Sequence, residues 1–224
     1  MATVQRVGVY IDGNNLFYGA LKREERRKYR WLNPEQLVRE VCDNYFKNNL
    51  AHVQFIKFYT ARVSNRSGNV DAPRNQQLYF NALKTIKNLQ IVLGNFQVHE
   101  KFLPVSLIEY KPNGKPKLQS VLSTEEKGSD VNLGAHLVYD ACMNNIDVAI
   151  VITNDTDLAE PIKLVADNLG KTVINLCPHK SVAFSLKKIK NVKHYNIETS
   201  HLAKSQFPDS VGGIIRPYHW SEGN

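Results

Sequence analysis

Only three of the 224 residues are cysteine: Cys42, Cys142 and Cys177. They lie far apart and form no C-x-x-C pair, so they build neither a disulfide framework nor a zinc or thioredoxin-type site, and they read as reduced core residues. No apolar run approaches the roughly 18–20 residues that a membrane-spanning helix needs. The start, MATVQRVGVYIDG, passes straight into an apolar strand without the basic-then-apolar layout of a secretory leader. A cytoplasmic protein without a membrane partner is therefore expected. G-x-S-x-G, P-loop and H-E-x-x-H motifs are missing too, which leaves serine hydrolase, P-loop nucleotidase and zinc metalloprotease chemistry without support. No G-x-G-x-x-G follows the first strand, where a dinucleotide fold would need it.

What is present describes an ordinary globular chain. Hydrophobic residues make up 42% and charged residues 22%, which excludes a wholly disordered protein. The length suits one domain with a small appendage. Twenty-nine Lys+Arg against 21 Asp+Glu give a formal charge of +8, a balance that favours a polyanionic partner without establishing one.

Apolar, β-branched stretches at Val4 to Ile11, His52 to Thr60, 89–105 (interrupted by Gly94), 147–153 and 171–177 read as strands. Helical patterns stand between them. The first spans LFYGALKREERRKY, and a second opens on Asn33-Pro34. Further ones cover PRNQQLYFNALKTIKN, VNLGAHLVYDACMNN and TDLAEPIKLVADNLG. A short helix and a strand around Val192 to Tyr195 follow. This alternation predicts an α/β fold with a mainly parallel sheet. Residues 62–73 read as a loop, 109–129 as an exposed basic hairpin or loop, and 200–224 as an irregular tail; the domain proper is placed at 1–199.

In open α/β sheets, ligands bind beyond the carboxyl ends of the strands, at the switch point. Four acids fall there: Asp12 ends the first strand, Asp155 and Asp157 follow the fourth, and Asp130 opens a helix. Each taken alone also has a purely local reading. Asp12 and Asp157 suit a turn or helix N-cap, Asp130 a cap and Asp155 an Asx turn. Together in one crevice, four carboxylates repel one another unless a hard cation such as Mg²⁺ neutralises them. Metal-dependent phosphodiester hydrolysis is the chemistry such a site suggests.

Three blocks sharpen this: V-x-V-Y-I-D-G-N-N-L-F-Y, E-K-G-S-D-V-x-L and V-I-T-N-D-T-D-L. They resemble the hallmark blocks of NYN domains in the PIN-like nuclease superfamily, most closely the LabA-like, limkain-type branch. The likeness extends through YTARV, P-R-x-Q-Q-x-Y-x-x-A-L, G-N-F-Q and the closing H-L-x-x-S-Q-F-P-D with R-P-x-x-W. The resemblance implies a three-layer α/β/α PIN-like sandwich, a Mg²⁺ or Mn²⁺ site and ribonuclease activity. It assigns Asp12, Asp130, Asp155 and Asp157 to the acidic site, with Asn15 and Thr153 orienting ligands or the scissile phosphate. Two positions depart from the pattern. His136 stands where the family often has a further Asp, and Asn154 replaces a Gly, a swap eased by the tolerance of Asn for left-handed backbone.

Basic residues cluster at Lys22, Arg23, Arg26, Arg27, Lys28 and Arg30, with Lys111, Lys115 and Lys117 on the 109–129 segment and Arg62 and Arg74 around the 62–73 loop. Arg23, Arg26, Arg62 and Arg74 are candidates for phosphate contacts; the alternative for the first cluster is a solvated helix face laced by Glu24 and Glu25. Tyr18, Tyr59 and Tyr79 are candidates to stack on single-stranded bases, with core packing the competing role for at least two of them. The expected function is a metal-dependent ribonuclease on single-stranded RNA, with a homo-oligomer compatible. Two rivals stay open: a non-cleaving nucleic-acid-binding module, and an NAD(P)H-dependent monooxygenase using the same crevice.

Overall fold

Gln5–Asp12 (β1) is buried over nearly its whole length, and its side chains alternate between two cores. Val7, Val9 and Ile11 enter one, and Tyr10 enters the other. That is why the strand carries no regular polar alternation: both faces are covered by helices. The structure is a computed structural model, and residues 4–63, 70–104 and 109–221 are described.

β1 lies inside a six-stranded sheet with Ala51–Thr60 (β2), Leu89–Leu93 (β3), Val148–Ile152 (β6), Thr172–Cys177 (β7) and Val192–Asn196 (β8). The order is β3-β2-β1-β6-β7-β8, and every neighbouring pair is parallel. The order reverses between β1 and β6, which places the switch point there. Ser129–Cys142 (α5) and Ala159–Lys163 (α6) cover one face through Leu133, Leu137 and Ile162. Gly13–Leu16 (α1), Pro34–Val41 (α2), Asp43–Asn48 (α3) and Ala72–Leu83 (α4) cover the other through Leu16, Leu37, Tyr45, Phe80 and Leu83. The result is a three-layer α/β/α sandwich. As its sequence foretells, α2 starts on an N-cap: the Asn33 side chain accepts from the Gln36 amide at 3.1 Å, with Pro34 at the first helical position.

Several expectations are corrected. The helix expected over LFYGALKREERRKY is broken. α1 continues as a π-helical turn over 17–21, Arg23 is extended (φ −60°, ψ 146°), and 24–29 form a 3₁₀ turn. Arginines satisfy the carbonyls that the break frees: Arg26 donates to Ala20 O at 3.1 Å, and Arg30 donates to Leu21 O at 3.1 Å and Lys22 O at 2.9 Å. The strand expected over 89–105 is two strands. After Gly94 the chain leaves the main sheet as Asn95–Pro104 (β4), which pairs antiparallel with Leu118–Lys127 (β5) in a separate two-stranded sheet. Of the exposed hairpin or loop expected at 109–129, residues 118–127 form the second arm of this antiparallel pair, and the exposed Lys111, Lys115 and Lys117 lie before it. Of the expected 62–73 loop, residues 64–69 lie outside the described residues.

The supposed irregular tail is structured as well. Beyond the short helix Phe184–Lys187 (α7) and β8, Thr199–Lys204 (α8) and a hairpin of Ser210–Val211 (β9) with Ile214–Ile215 (β10) lead to Trp220, which packs 6.3 Å from Trp31 and 6.2 Å from Tyr79, centroid to centroid. Among the described residues, no helix is long and apolar enough to cross a membrane.

Candidate metal centre

β1 ends at the switch point with Asp12, only 2% exposed. The chain then turns sharply, and Gly13 permits this. A Cβ there would stand 2.6 Å from Phe58 Cε1 and 2.7 Å from the Tyr59 carbonyl. β6 ends one strand away in Thr153, Asn154 and Asp155. α5 begins after Gly128, whose φ of +100° suits glycine alone, and this swings Asp130 into the first helical turn.

Three acids converge. Asp12, Asp130 and Asp155 each offer a carboxylate oxygen, and these oxygens all lie within 4.8 Å of one another. The group is held by its own backbone turns. Asp12 Oδ1 accepts from the Asn15 amide at 2.8 Å, and Asp12 Oδ2 accepts from Thr153 Oγ1 at 3.1 Å. The same Thr153 oxygen accepts from the Asp155 amide at 3.0 Å. Asn15 Oδ1 accepts from the Asn154 amide at 2.9 Å, tying the turn after β1 to the turn after β6. Burial pushes the Asp12 carboxyl up to about 7, and the charges of Asp130 and Asp155 push the same way, while the bonds from Asn15 and Thr153 oppose them. An all-oxygen donor set of carboxylates, one held at such electrostatic cost, fits a hard divalent cation.

Not every expected residue joins. Asp157 lies outside the three-acid group among the described residues; it is exposed, and its amide donates to Asp155 Oδ1 at 2.9 Å, so its backbone shapes the turn. Thr153, expected near substrate, is fully buried with its hydroxyl committed to the two acids. Asn15 likewise serves the turns.

His136 is not in the group either: its Nδ1 pairs with the Tyr59 hydroxyl at 3.0 Å, and burial and nearby Lys57 lower its pKa. Asn154 needs no left-handed backbone, since Asn144 is the sole non-glycine residue with positive φ among those described. Its side chain instead accepts from the Ala183 amide at 2.7 Å and donates to Ser181 O at 3.2 Å, fastening the 181–183 segment to the site.

The candidate phosphate contacts are dispersed. Arg26 is taken up by Ala20 O, and Arg23 is exposed 4.0 Å from Glu25. Arg62 donates to Gln77 Oε1 at 2.8 Å, and Arg74 is exposed on α4, in a cleft with Arg216 and His219. Tyr59 and Tyr79 are packing residues, whereas Tyr18 is 60% exposed.

One buried cluster carries almost no signal in the sequence. Asp140 accepts from Lys57 Nζ at 2.6 Å and from the Tyr10 hydroxyl at 2.9 Å, beneath α5 on the face of β1 that carries Asp12. A lysine inside the apolar run VQFIKFY was the only signal for it.

The NYN domain family matches residues 6–198. The chain belongs to the NYN family. This NYN chain is 27% identical, over 96% of its length and 75% of the relative's, to 6-hydroxy-3-succinoylpyridine 3-monooxygenase HspA of Pseudomonas putida (strain DSM 28022 / S16). Its fold also matches a crystal structure of a protein of unknown function from Vibrio parahaemolyticus RIMD 2210633. The TM-score is 0.51 at 14% identity, covering 89% of this chain and 98% of that one. At that identity the likeness concerns fold alone.

Proposed function

We propose that this NYN protein is a divalent-metal-dependent ribonuclease, in which Asp12, Asp130 and Asp155 hold Mg²⁺ or Mn²⁺. The observation that carries the reading is the convergence of these three carboxylates at the β1/β6 switch point of an NYN fold. When bound, the cation would supply an activated water and neutralise charge on the scissile phosphate. The chain's own residues prepare that site. Thr153 and Asn15 lock the facing turns, and the hydroxyl and amide bonded to Asp12 fix where its remaining lone pairs point. Exposed Arg23 and Arg74, with the overall +8 charge, would draw a phosphate chain toward the acids and make binding salt-sensitive.

The test is cleavage of end-labelled single-stranded RNA with Mn²⁺, Mg²⁺ or EDTA. Expected is metal-dependent cleavage that Asp155→Asn abolishes. Tight, salt-sensitive binding without cleavage in any metal would instead make the protein a binding module.

A second reading is supported by one observation, the monooxygenase name of the relative that aligns over 96% of this chain. It is an NAD(P)H-dependent hydroxylation of a small aromatic acid in the same crevice. Against it, the turn after β1 is Asp12-Gly13-Asn14-Asn15 rather than a glycine-rich dinucleotide loop. Substrate-dependent NAD(P)H consumption by the purified protein would decide for it.

A further inference from the structure

A cavity of about 310 Å³ opens where β1 and β2 end, on the opposite face of the sheet from the Asp12 side chain. It begins at Gly13 and Asn14, which directly follow Asp12, and at Thr60, which follows the register partner of Asp12, Tyr59. Its walls are aromatic: Phe17, Phe58, Tyr79, Phe80 and Trp220. These rings brace one another, with Phe58 and Tyr79 centroids 6.2 Å apart at 75° and Tyr79 and Trp220 also 6.2 Å apart at 70°. Three features point to the occupant. The volume sits at the small end of the roughly 300–1,000 Å³ of small-molecule pockets, enough for a single ring system with little more. The Arg30 guanidinium, 5.3 Å from the Phe17 ring centre, lines the cavity and puts positive charge beside it. Asn14 and Asn75 also line it, and their side-chain amides meet no hydrogen-bond partner among the described residues. Each offers a donor and an acceptor side by side, which suits the polar edge of a heterocycle. Gln76, by contrast, is spent on holding the 61–63 backbone.

We propose that this cavity binds one planar heteroaromatic ring attached to an anionic group, and that the ring is an unpaired base of the RNA beside the bond to be cut. The base assignment rests on the ribonuclease reading; the ring-binding site does not. Stacking on the aromatic wall anchors the base while the Asn amides meet its edge, and the phosphate that follows is led toward the acids through the Asp12–Asn14 turn.

Trp220 supplies a readout independent of activity, since it lines the cavity, whereas the other tryptophan, Trp31, is fully buried and does not. AMP, UMP, a single-stranded RNA pentamer and pyridine-3-carboxylate are titrated against tryptophan fluorescence in EDTA. Saturable quenching by the mononucleotides and the pentamer is expected, with the signal lost in Trp220→Phe. Phe17→Ala and the cavity-filling Ala72→Phe, both at partly exposed positions, should weaken binding by roughly five- to a hundredfold, the loss expected for one stacking partner. Cleavage of an RNA with one abasic position next to the cut should fall by a similar factor. No saturable quenching, or quenching that both variants leave intact, overturns the site. Quenching by pyridine-3-carboxylate alone overturns the base assignment. Mononucleotide binding without cleavage of any RNA in Mn²⁺ would sink the ribonuclease reading and the base assignment, and would uphold the ring site. RNA cleavage that neither variant changes would uphold the ribonuclease reading and overturn the base assignment.

Discussion

The Thr153 hydroxyl stands 3.1 Å from Asp12 Oδ2 and 3.0 Å from the Asp155 amide, donating to the first and accepting from the second. One buried side chain therefore sets the spacing of acids that come from different strand ends. Thr153→Val keeps the shape but leaves a buried carboxylate oxygen and an amide unpaired, a loss of about 1–3 kcal/mol. Urea denaturation should show that loss, and calorimetric titration should show weaker Mn²⁺ binding. Thr153→Ser should restore most of both. If Thr153→Val binds Mn²⁺ as the parent does, the hydroxyl is not what positions the acids.

Asp12 makes the apo protein sensitive to alkali. Its carboxyl lies at about 7 in the folded state against an ordinary 3.8, so the neutral form is favoured by folding. That stabilisation is complete below the ordinary value and is lost as pH rises through about 7, on the order of 4 kcal/mol in all. A bound cation reverses the preference by favouring the carboxylate. Thermal melts in EDTA should therefore fall as pH rises from the ordinary 3.8 to about 7 and level off above that, and Mn²⁺ should stabilise most at the alkaline end. Asp12→Asn should flatten the EDTA profile. Melts in EDTA that are flat in the parent would show that burial does not strain this acid.

How much of this was legible depends on what each residue answers to. β1, β6 and β7 are buried on both faces, so their apolar runs announce themselves, and the acids at their ends follow from chain position alone. Asp157 has the same sequence context as Asp155, yet the turn aims one into the cluster and leaves the other exposed, a difference of backbone direction that composition does not carry. The basic run from Lys22 to Arg30 looked like a helix because nothing local forbids one. Across the break, Arg26 and Arg30 reach back to carbonyls of the preceding turn, contacts that the local sequence does not announce. Lys57 and Asp140 are 83 residues apart, and only the packing of α5 on β2 makes them partners.

That pair gives a third expectation. The Lys57 and Asp140 side chains are 16% and 7% exposed, so removing one charge leaves the other buried and uncompensated. Lys57→Met alone should cost about 3 kcal/mol or more, and Asp140→Leu alone a similar amount. The double substitution should recover a large part, because the apolar pair no longer needs desolvated charges. Chemical denaturation of the four proteins measures the coupling, and strictly additive losses would deny the interaction.

The resemblance to NYN sequences sets His136 where a further acid often stands, but its Nδ1 is engaged by the Tyr59 hydroxyl, and its ring lies outside the three-acid group among the described residues. His136→Ala should therefore leave Mn²⁺ affinity within about threefold, well under the 10–100-fold typical of losing even an outer-shell partner. The cost should fall on stability instead, through the part-buried Tyr59 hydroxyl left without its partner, about 1 kcal/mol. Tyr59→Phe should cost a comparable amount, and the double variant little more than either single one, since both changes break the same bond. Paramagnetic titration of Mn²⁺ separates the two roles: a tenfold or greater loss of affinity in His136→Ala, with Tyr59→Phe unaffected, would place the imidazole among the ligands.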